Sequence, residues 1–407
     1  MSNSLLYFTQ RVYGFQHVSF DFNSKPGTVF EKIKRKDIRC PKCNGSGITA
    51  SFLRTREIKA MKIGRCNLCF LVDIHRIYCQ DCGVWKVEKL PFLSSPKSRM
   101  TKELERTIIE LRNEMSISAI SEYFKLSWHA VKNVEERHLE KKHRKIKLKN
   151  VEILGIDEIF VTRKKGVEKF ITIVRDLSSG AVLHVGKGKG AEALGSLTRS
   201  LRRSKCKIKA IAMDMSKAYI SWAKENIPDA DIVFDHFHII KMMNDKLDKV
   251  RRKVTKSIDE EHGKLLKNQR FLFLRNVENL SPDAKMLLDN LRKTFKELGD
   301  VSMMKEALRS IYKKANCAFE AEAAFKNWCD IARKTEVKEL SDMANTIEKH
   351  IDGITAFWRN NYLSNASMEG FNNKVRWLIR QAYGYRDQKY FHLKIFDLPN
   401  MNTSKRL

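Results

Sequence analysis

Three acidic residues sit where divalent-metal chemistry can be built: Asp157 in the segment GIDEIF, Asp214 in AIAMDMSKAY and Glu369 in SNASMEGFNNK. The first two lie near the ends of short apolar runs that read as buried strands, the third in a helix-like segment far downstream. A carboxylate buried in an apolar strand is costly unless something compensates it. Adjacent parallel strands would bring Asp157 and Asp214 close together. Glu158, next to Asp157, would point to the opposite face. Magnesium prefers hard oxygen ligands and keeps several waters, so a few carboxylates plus a substrate phosphate suit it. Asp157, Asp214 and Glu369 are therefore the candidate ligands for Mg2+ (or Mn2+). His236 and His238, beside Asp235, would either orient a scissile phosphate or water, or pack within the core.

Sulfur chemistry is concentrated near the N-terminus. Six of the nine cysteines form Cys-x-x-Cys pairs: Cys40 with Cys43, Cys66 with Cys69, and Cys79 with Cys82. Clustered pairs in a chain without a signal peptide point to metal or redox use rather than to disulfides. A structural zinc needs four ligands in a tetrahedron. The first and last pairs each have glycine at or just after the turn, which helps backbone amides fold over a metal-bound sulfur. Cys40, Cys43, Cys79 and Cys82 are the expected zinc ligands, with Cys66 and Cys69 as core residues or as the alternative pair. Cys206, Cys317 and Cys329 read as small buried hydrophobes.

The charge balance names a partner. In 407 residues, 78 Lys and Arg face 48 Asp and Glu, a formal net charge of +30. Such a surface attracts a polyanion and gains affinity by releasing its counterions. Hydrophobic residues make up 43% of the chain, enough to build cores and to exclude a disordered basic tail. There is no apolar run long enough to span a bilayer, no signal-peptide pattern and no lipidation motif, so a nucleic acid is favoured over an anionic membrane. A reducing cytoplasm is the expected setting.

Several elements must position these residues. Residues 12–22 and parts of 62–78 alternate apolar and polar, as strands do, and 94–98 reads as a linker. From 101 to 140 the period becomes helical. Leu104, Ile108 and Leu111 form one face; Ile117, Ile120, Tyr123 and Phe124 form a second. Lys125 to Ser127 makes a turn with Ser127 as N-cap, and Val131 and Val134 anchor a third helix. That helix would expose His129, Lys132, Asn133 and Arg137, types that reach base edges or phosphates, as in a helix-turn-helix. An ordinary helical bundle is the competing reading. Residues 141–149 are a basic connector. Strands are expected at 151–161, 170–174, 181–185, 208–213 and 231–234, with helices at 191–201, 218–226 and 237–256. That order is α/β. Residues 256 to about 349 read as amphipathic helices, and core character returns near Ile354. After Glu369, Lys374, Arg376 and Arg380 would line a DNA groove or form a solvated helix face. Trp328 and Trp358 would stack on an unpaired base or, the blander option, pack in the core.

The cysteine pairs CPKC and CQDC, the helix-turn-helix, GIDEIF, AIAMDMSKAY, FDHFHIIKMMNDKLDKVRR and SNASMEGFNNKVRWLIRQAYGYRD occur in one order along nearly the whole chain. In this it resembles a DDE transposase of bacterial insertion sequences, of the ISL-three type. The extra pair Cys66 and Cys69 departs from that pattern. The resemblance implies a ribonuclease-H-like α/β catalytic core with an α-helical insertion, preceded by zinc-binding and helix-turn-helix domains. The expected division is 1–95 for the zinc domain and 96–149 for the helix-turn-helix and connector. The core would occupy 150–255 and 354–407, with the insertion at 256–353. The resemblance also implies Asp157, Asp214 and Glu369 as catalytic acids in two-metal cleavage and strand transfer at terminal inverted repeats. Partners would be element and target DNA and at least a second copy of the chain, in a bacterial, nucleoid-associated setting. The competing functions are a catalytically inactive DNA-binding relative and a nuclease acting on RNA or recombination junctions.

Overall fold

The computed structural model describes residues 5–144, 148–162, 169–204, 206–258 and 260–400. The expected basic connector at 141–149 therefore lies partly outside the described residues. The chain divides into two compact units, Met1–Arg144 and Lys145–Leu407.

In the first unit a short helix α1 (Leu5–Gln10) precedes β1 (Phe15–Asp21), β2 (Thr28–Arg35), β3 (Ile48–Ile63), β4 (Cys66–Cys79) and β5 (Val84–Val87). The sheet order is β1-β2-β4-β3, with β5 also on β4. β3 and β4 form a long antiparallel hairpin. Gly64 closes it at φ +56, a conformation that costs a residue with Cβ about 1–2 kcal/mol. Phe15, Ile33, Ile58, Leu68, Phe70, Val72 and Phe92 form the core. The alternation at 12–22 yields a strand, yet only Phe15 of β1 is buried. β3 escaped the sequence reading because its first half is exposed on both faces and is held by backbone pairing to β4 rather than by burial.

Three helices follow: α2 (Lys102–Leu111), α3 (Ile117–Tyr123) and α4 (Trp128–Lys142). The hydroxyls of Thr101, Ser116 and Ser127 cap them, accepting from the amides of Leu104, Ala119 and Ala130. Each cap contributes about 1 kcal/mol. Leu104, Ile108, Ile120, Phe124, Val131 and Val134 pack together as expected. Tyr123 does not join them; it is exposed, with Lys62 Nζ 4.4 Å from its ring centroid. The segment 94–98 is not a free linker. Arg56 donates to the carbonyls of Pro96 and Ser98, and the Ser94 and Ser98 hydroxyls bond Glu105.

The second unit is built on β6 (Ile153–Phe160), β7 (Phe170–Asp176), β8 (Val182–Lys187), β9 (Ala210–Met213) and β10 (Asp231–Phe234), in the order β10-β9-β6-β7-β8. β6, β7 and β8 form an antiparallel meander; β9 and β10 run parallel to β6. α5 (Gly195–Arg203) and α6 (Lys217–Asn226) lie between β8, β9 and β10 in sequence. A short 3-10 turn at Ala191–Leu194 replaces the first part of the helix expected at 191–201. After α7 (His236–Ser257) come α8 (Glu260–Asn268), α9 (Arg270–Leu274), α10 (Pro282–Thr294), α11 (Lys296–Lys314), α12 (Ala318–Lys334), α13 (Lys338–Lys349) and α14 (Ile351–Arg359). α15 (Ala366–Gln381) and α16 (Gln388–Asp397) complete the unit.

Helices cover both faces of this sheet. On one, Leu154, Ile156, Ile211 and Met213 pack with Tyr219, Trp222 and Ile239, and that core continues through α7 into α10–α13. On the other, Ile159, Ile171, Ile173 and Val185 pack with Phe371, Val375, Leu378, Phe391 and Ile395 of α15 and α16. Trp328 and Trp358 are buried in the helical layer, their indole N–H groups donating to the carbonyls of Met304 and Ala315. Neither has a face free for a base, so the core reading holds for both. Cys329 is buried as expected; Cys206 is half-buried and Cys317 is exposed at the start of α12.

Candidate active site and cysteine cluster

Strand register fixes the acids. β6 and β9 pair Ile153 with Ala210, Leu154 with Ile211 and Gly155 with Ala212. β10 and β9 pair Asp231 with Ala210 through to Phe234 with Met213. Continuing the same offsets beyond the last pairs puts Asp157, Asp214 and Asp235 in a row at the C-terminal ends of three parallel strands. Asp157 is half-buried. Burial, and then the charge of Asp214, push its carboxyl above the usual carboxylate range. Asp214 Oδ1 is buried without a hydrogen-bond partner. Two neighbouring acids, one held up by burial and the other with an orphaned oxygen, fit a divalent cation, which would supply the missing opposite charge.

Glu369 reaches this region through its helix. Asn365 Nδ2 donates to the carbonyl of Ile156 at 3.1 Å, and Asn372 Nδ2 donates to Asp157 Oδ2 at 2.5 Å. Residues 365, 369 and 372 share one face of a helix. Arg175, stacked on Phe371 at 4.3 Å, donates to the carbonyl of Ser367 at 2.9 Å. Three anchors thus bracket Glu369, two on β6, which carries Asp157, and one on β7. Its side chain is exposed. Among the described residues, the three acids do not converge as tightly as a single-ion site does. A two-ion site separates its metals by about 3.5–4 Å and spreads its ligands accordingly.

Asp235 caps α7, accepting from the Phe237 amide. Its carboxylate lies 3.6 Å from both His236 Nδ1 and His238 Nδ1, and His238 Nε2 lies 3.9 Å from Asp214 Oδ2. Asp235 first, and then Asp214 and Asp157, hold the His238 imidazolium above its ordinary range. Burial pushes His236 down instead, among Tyr312, Phe357 and Phe237. Of the two histidines, His238 faces the acids and His236 belongs to the packing. Glu158 does lie on the opposite face, as strand alternation requires. It is raised by burial and bonded to Tyr219, whose hydroxyl is 2.8 Å from Thr172 Oγ1.

Lys374, Arg376 and Arg380 are exposed on α15. On α4, His129, Asn133 and Arg137 are exposed, but Lys132 is not the free cation expected: its side chain is 13% exposed and pairs with Glu136 at 3.2 Å, one helical turn on. Arg137 also pairs, with Glu105 of α2 at 2.9 Å.

In the first unit the sulfurs of Cys40, Cys43, Cys79 and Cys82 lie within 4.8 Å of one another. Backbone amides of Cys43 and Lys42 lower the Cys40 thiol to about 6, while the neighbouring Cys43 sulfur pushes Cys82 up to about 12. Four crowded thiols cannot all ionise without a cation, so the donor set fits zinc. A Cβ on Gly45 would sit 2.5 Å from Asp81 Oδ2 and 3.3 Å from Cys43 Sγ, so glycine lets the loop close over the sulfur without displacing Asp81. Cys66 begins β4 and Cys79 ends it. At about 3.3 Å per residue the strand keeps them roughly 43 Å apart. Cys66 packs against the unit's core, and burial raises the Cys69 thiol to about 11. They are core residues, not an alternative pair.

The sequence reading missed Asn365, Asn372 and Arg175. Two asparagines at i−4 and i+3 from Glu369 were the available signal; nothing local marks Arg175.

A transposase family profile of the DDE, ISL3 type matches residues 154–395, and a profile for the helix-turn-helix domain of transposase family ISL3 matches 88–139. A transposase for insertion sequence element IS1001 of Bordetella parapertussis is 28% identical, over 94% of this chain and 94% of its own. A transposase for IS1557 of Mycobacterium tuberculosis is 24% identical, over 88% of this chain and 85% of its own. A solved Drosophila P element transposase strand transfer complex aligns with TM-score 0.40 at 10% identity, covering 74% of this chain and 92% of that one.

Proposed function

Since this chain belongs to the ISL3 family of DDE transposases, we propose that Asp157, Asp214 and Glu369 are its catalytic acids and hold two Mg2+ (or Mn2+) ions. The observation that carries this reading is the row of strand-end acids, Asp157 beside Asp214, clasped by the helix of Glu369 through Asn372. The reaction is cleavage of DNA at the ends of an insertion sequence and transfer of the freed ends to new DNA. When bound, the ions lower the pKa of the attacking water or 3′-hydroxyl and neutralise the leaving oxygen.

The chain's own residues supply position. Asn372 fixes one oxygen of Asp157 and leaves the carboxylate aimed along the strand end. Asp235 orients His238 so that its Nε2 faces Asp214 and the approaching phosphate, where its positive charge favours the crowded anions. Asn365 ties the start of α15 to β6, and Arg175 ties it to β7. The five-stranded sheet is read as a ribonuclease-H-like core over 150–255 and 354–407, interrupted by the helical insertion at 256–353. Zinc on Cys40, Cys43, Cys79 and Cys82 holds the domain at 1–95. Within 96–149, His129, Asn133 and Arg137 on α4 are the candidate DNA-reading side chains, with Lys132 buttressed by Glu136. Two copies on DNA would pair the two element ends.

The test is strand cleavage of a labelled duplex carrying the ends of the surrounding element, with magnesium or manganese, for wild type and Asp214→Asn. Metal-dependent nicking at the element boundary, absent from the variant while binding persists, is the expected result. Cleavage by the variant at the wild-type rate would sink the acid assignment.

A further inference from the structure

The helix that brings Glu369 to the acids continues past it into an aromatic and basic surface. Trp377 is 52% exposed and Tyr383 is fully exposed. Among the described residues no ring contact or hydrogen bond occupies the Trp377 indole. Lys374 and Arg380 stand at i−3 and i+3 from it, and Arg376 precedes it; all three are exposed. No acid occurs between Glu369 and Asp387. Tyr383 is held at φ +51 in the turn that ends α15, ahead of Gly384 at φ +93. A bulky residue rarely adopts that conformation, and here it leaves the phenol ring entirely in solvent. Here two exposed rings share a surface with three cations and no acid, a combination that offers flat faces and positive charge together.

Eight residues separate Glu369 from Trp377, about 12 Å along the helix axis. At about 3.4 Å per nucleotide that is the reach of roughly three nucleotides from the catalytic acids. Polyanion charge complementarity and flat, sequence-tolerant stacking together describe a single strand rather than a closed duplex.

We propose that Trp377, flanked by Lys374, Arg376 and Arg380 and followed by Tyr383, stacks an unpaired base of the DNA strand leaving the catalytic acids. The proposal rests on the assignment of Asp157, Asp214 and Glu369. Lys374, Arg376 and Arg380 contact the phosphates of that strand, and Trp377 contacts a base.

Two duplexes of the element end test it: one fully paired, the other carrying about three unpaired nucleotides beside the cleavage position. Affinities are measured with the full-length, zinc-containing chain and no added magnesium. Trp377→Ala is expected to weaken binding of the forked DNA roughly tenfold and to leave the paired duplex unchanged, while Trp377→Phe keeps most of the fork affinity. Equal affinity of wild type and Trp377→Ala for the fork overturns the proposal. So does an equal loss on both DNAs, which would mark a general role in the fold or groove. Adding magnesium to the same complexes reads cleavage separately. A wild-type chain that binds the fork through Trp377 but never cuts would refute the acid assignment and leave the stacking surface standing.

Discussion

Asp157 is costly to bury, and its environment shows how the cost is met. Asn372 and the Glu158 amide each donate to one of its oxygens. A hydrogen bond to a charged group is worth about 1.5–3 kcal/mol. Replacing Asn372 with Ala removes the donor without touching any acid. Outer-sphere partners of metal-binding carboxylates typically change activity by about 10–100-fold, and cleavage should fall by that factor while DNA binding is retained. Cleavage kinetics over a range of magnesium concentrations check this: the half-saturating magnesium should rise in Asn372→Ala. An unchanged magnesium dependence would mean that Asn372 only packs. The sequence singled out Asp157 and Asp214 because they stand at the ends of apolar runs, and Glu369 through the motif that contains it. It did not single out Asn372, because an asparagine on a helix face looks like any other polar surface residue.

At the scale of elements, α16 lies over β8 and carries His392, whose buried Nε2 has no hydrogen-bond partner. Burial, and then the positive charges of Lys187 and His184, lower its pKa to about 4. A histidine in the unfolded chain titrates near 6.5. The folded pKa is depressed, so the unfolded chain binds the proton first. The corresponding stability is fully present above about pH 6.5 and is lost as pH falls towards about 4. Thermal unfolding followed between those values should show a steeper fall for wild type than for His392→Gln. Parallel pH profiles would exclude His392 as the source. The sequence reading did not anticipate α16 as a separate helix, and its buried face includes Lys394 and Asp397 beside Phe391 and Ile395; only the packed sheet brings Lys187 and His184 towards His392.

Across the whole molecule the two compact units carry separable tasks. The four sulfurs tie the loop between β2 and β3 to the turn between β4 and β5, all within residues 1–144. The strand-end acids belong entirely to the second unit. Elemental analysis should therefore find one zinc per chain in wild type and none when Cys79 is replaced with Ser. Specific binding to element ends should fall with it, about tenfold or more for a second-sphere or ligand loss. Asp214→Asn should do the reverse, keeping zinc and binding while losing cleavage. Full zinc content in Cys79→Ser would remove the four-cysteine assignment. The net charge of +30 acts on both units alike and makes all these affinities salt-dependent.

Local sequence was enough to mark the acids, the paired cysteines, the three helices between 101 and 140 with Ser127 as a cap, and the succession of strands and helices in the second unit. Each depends on residue type and short-range period, which the chain states directly. Glycines at the turns favoured Cys40, Cys43, Cys79 and Cys82, and the tertiary structure gathered these four while β4 holds Cys66 and Cys79 at its opposite ends. The tertiary structure also decided that Lys132 turns to Glu136, that Trp328 and Trp358 are core, and that Trp377 is exposed. It brought Arg175 to Ser367 at the start of α15, 192 positions away, and Asn372 of that helix to Asp157. Such contacts come from strand register and from layers closing on one another, and no local pattern encodes them.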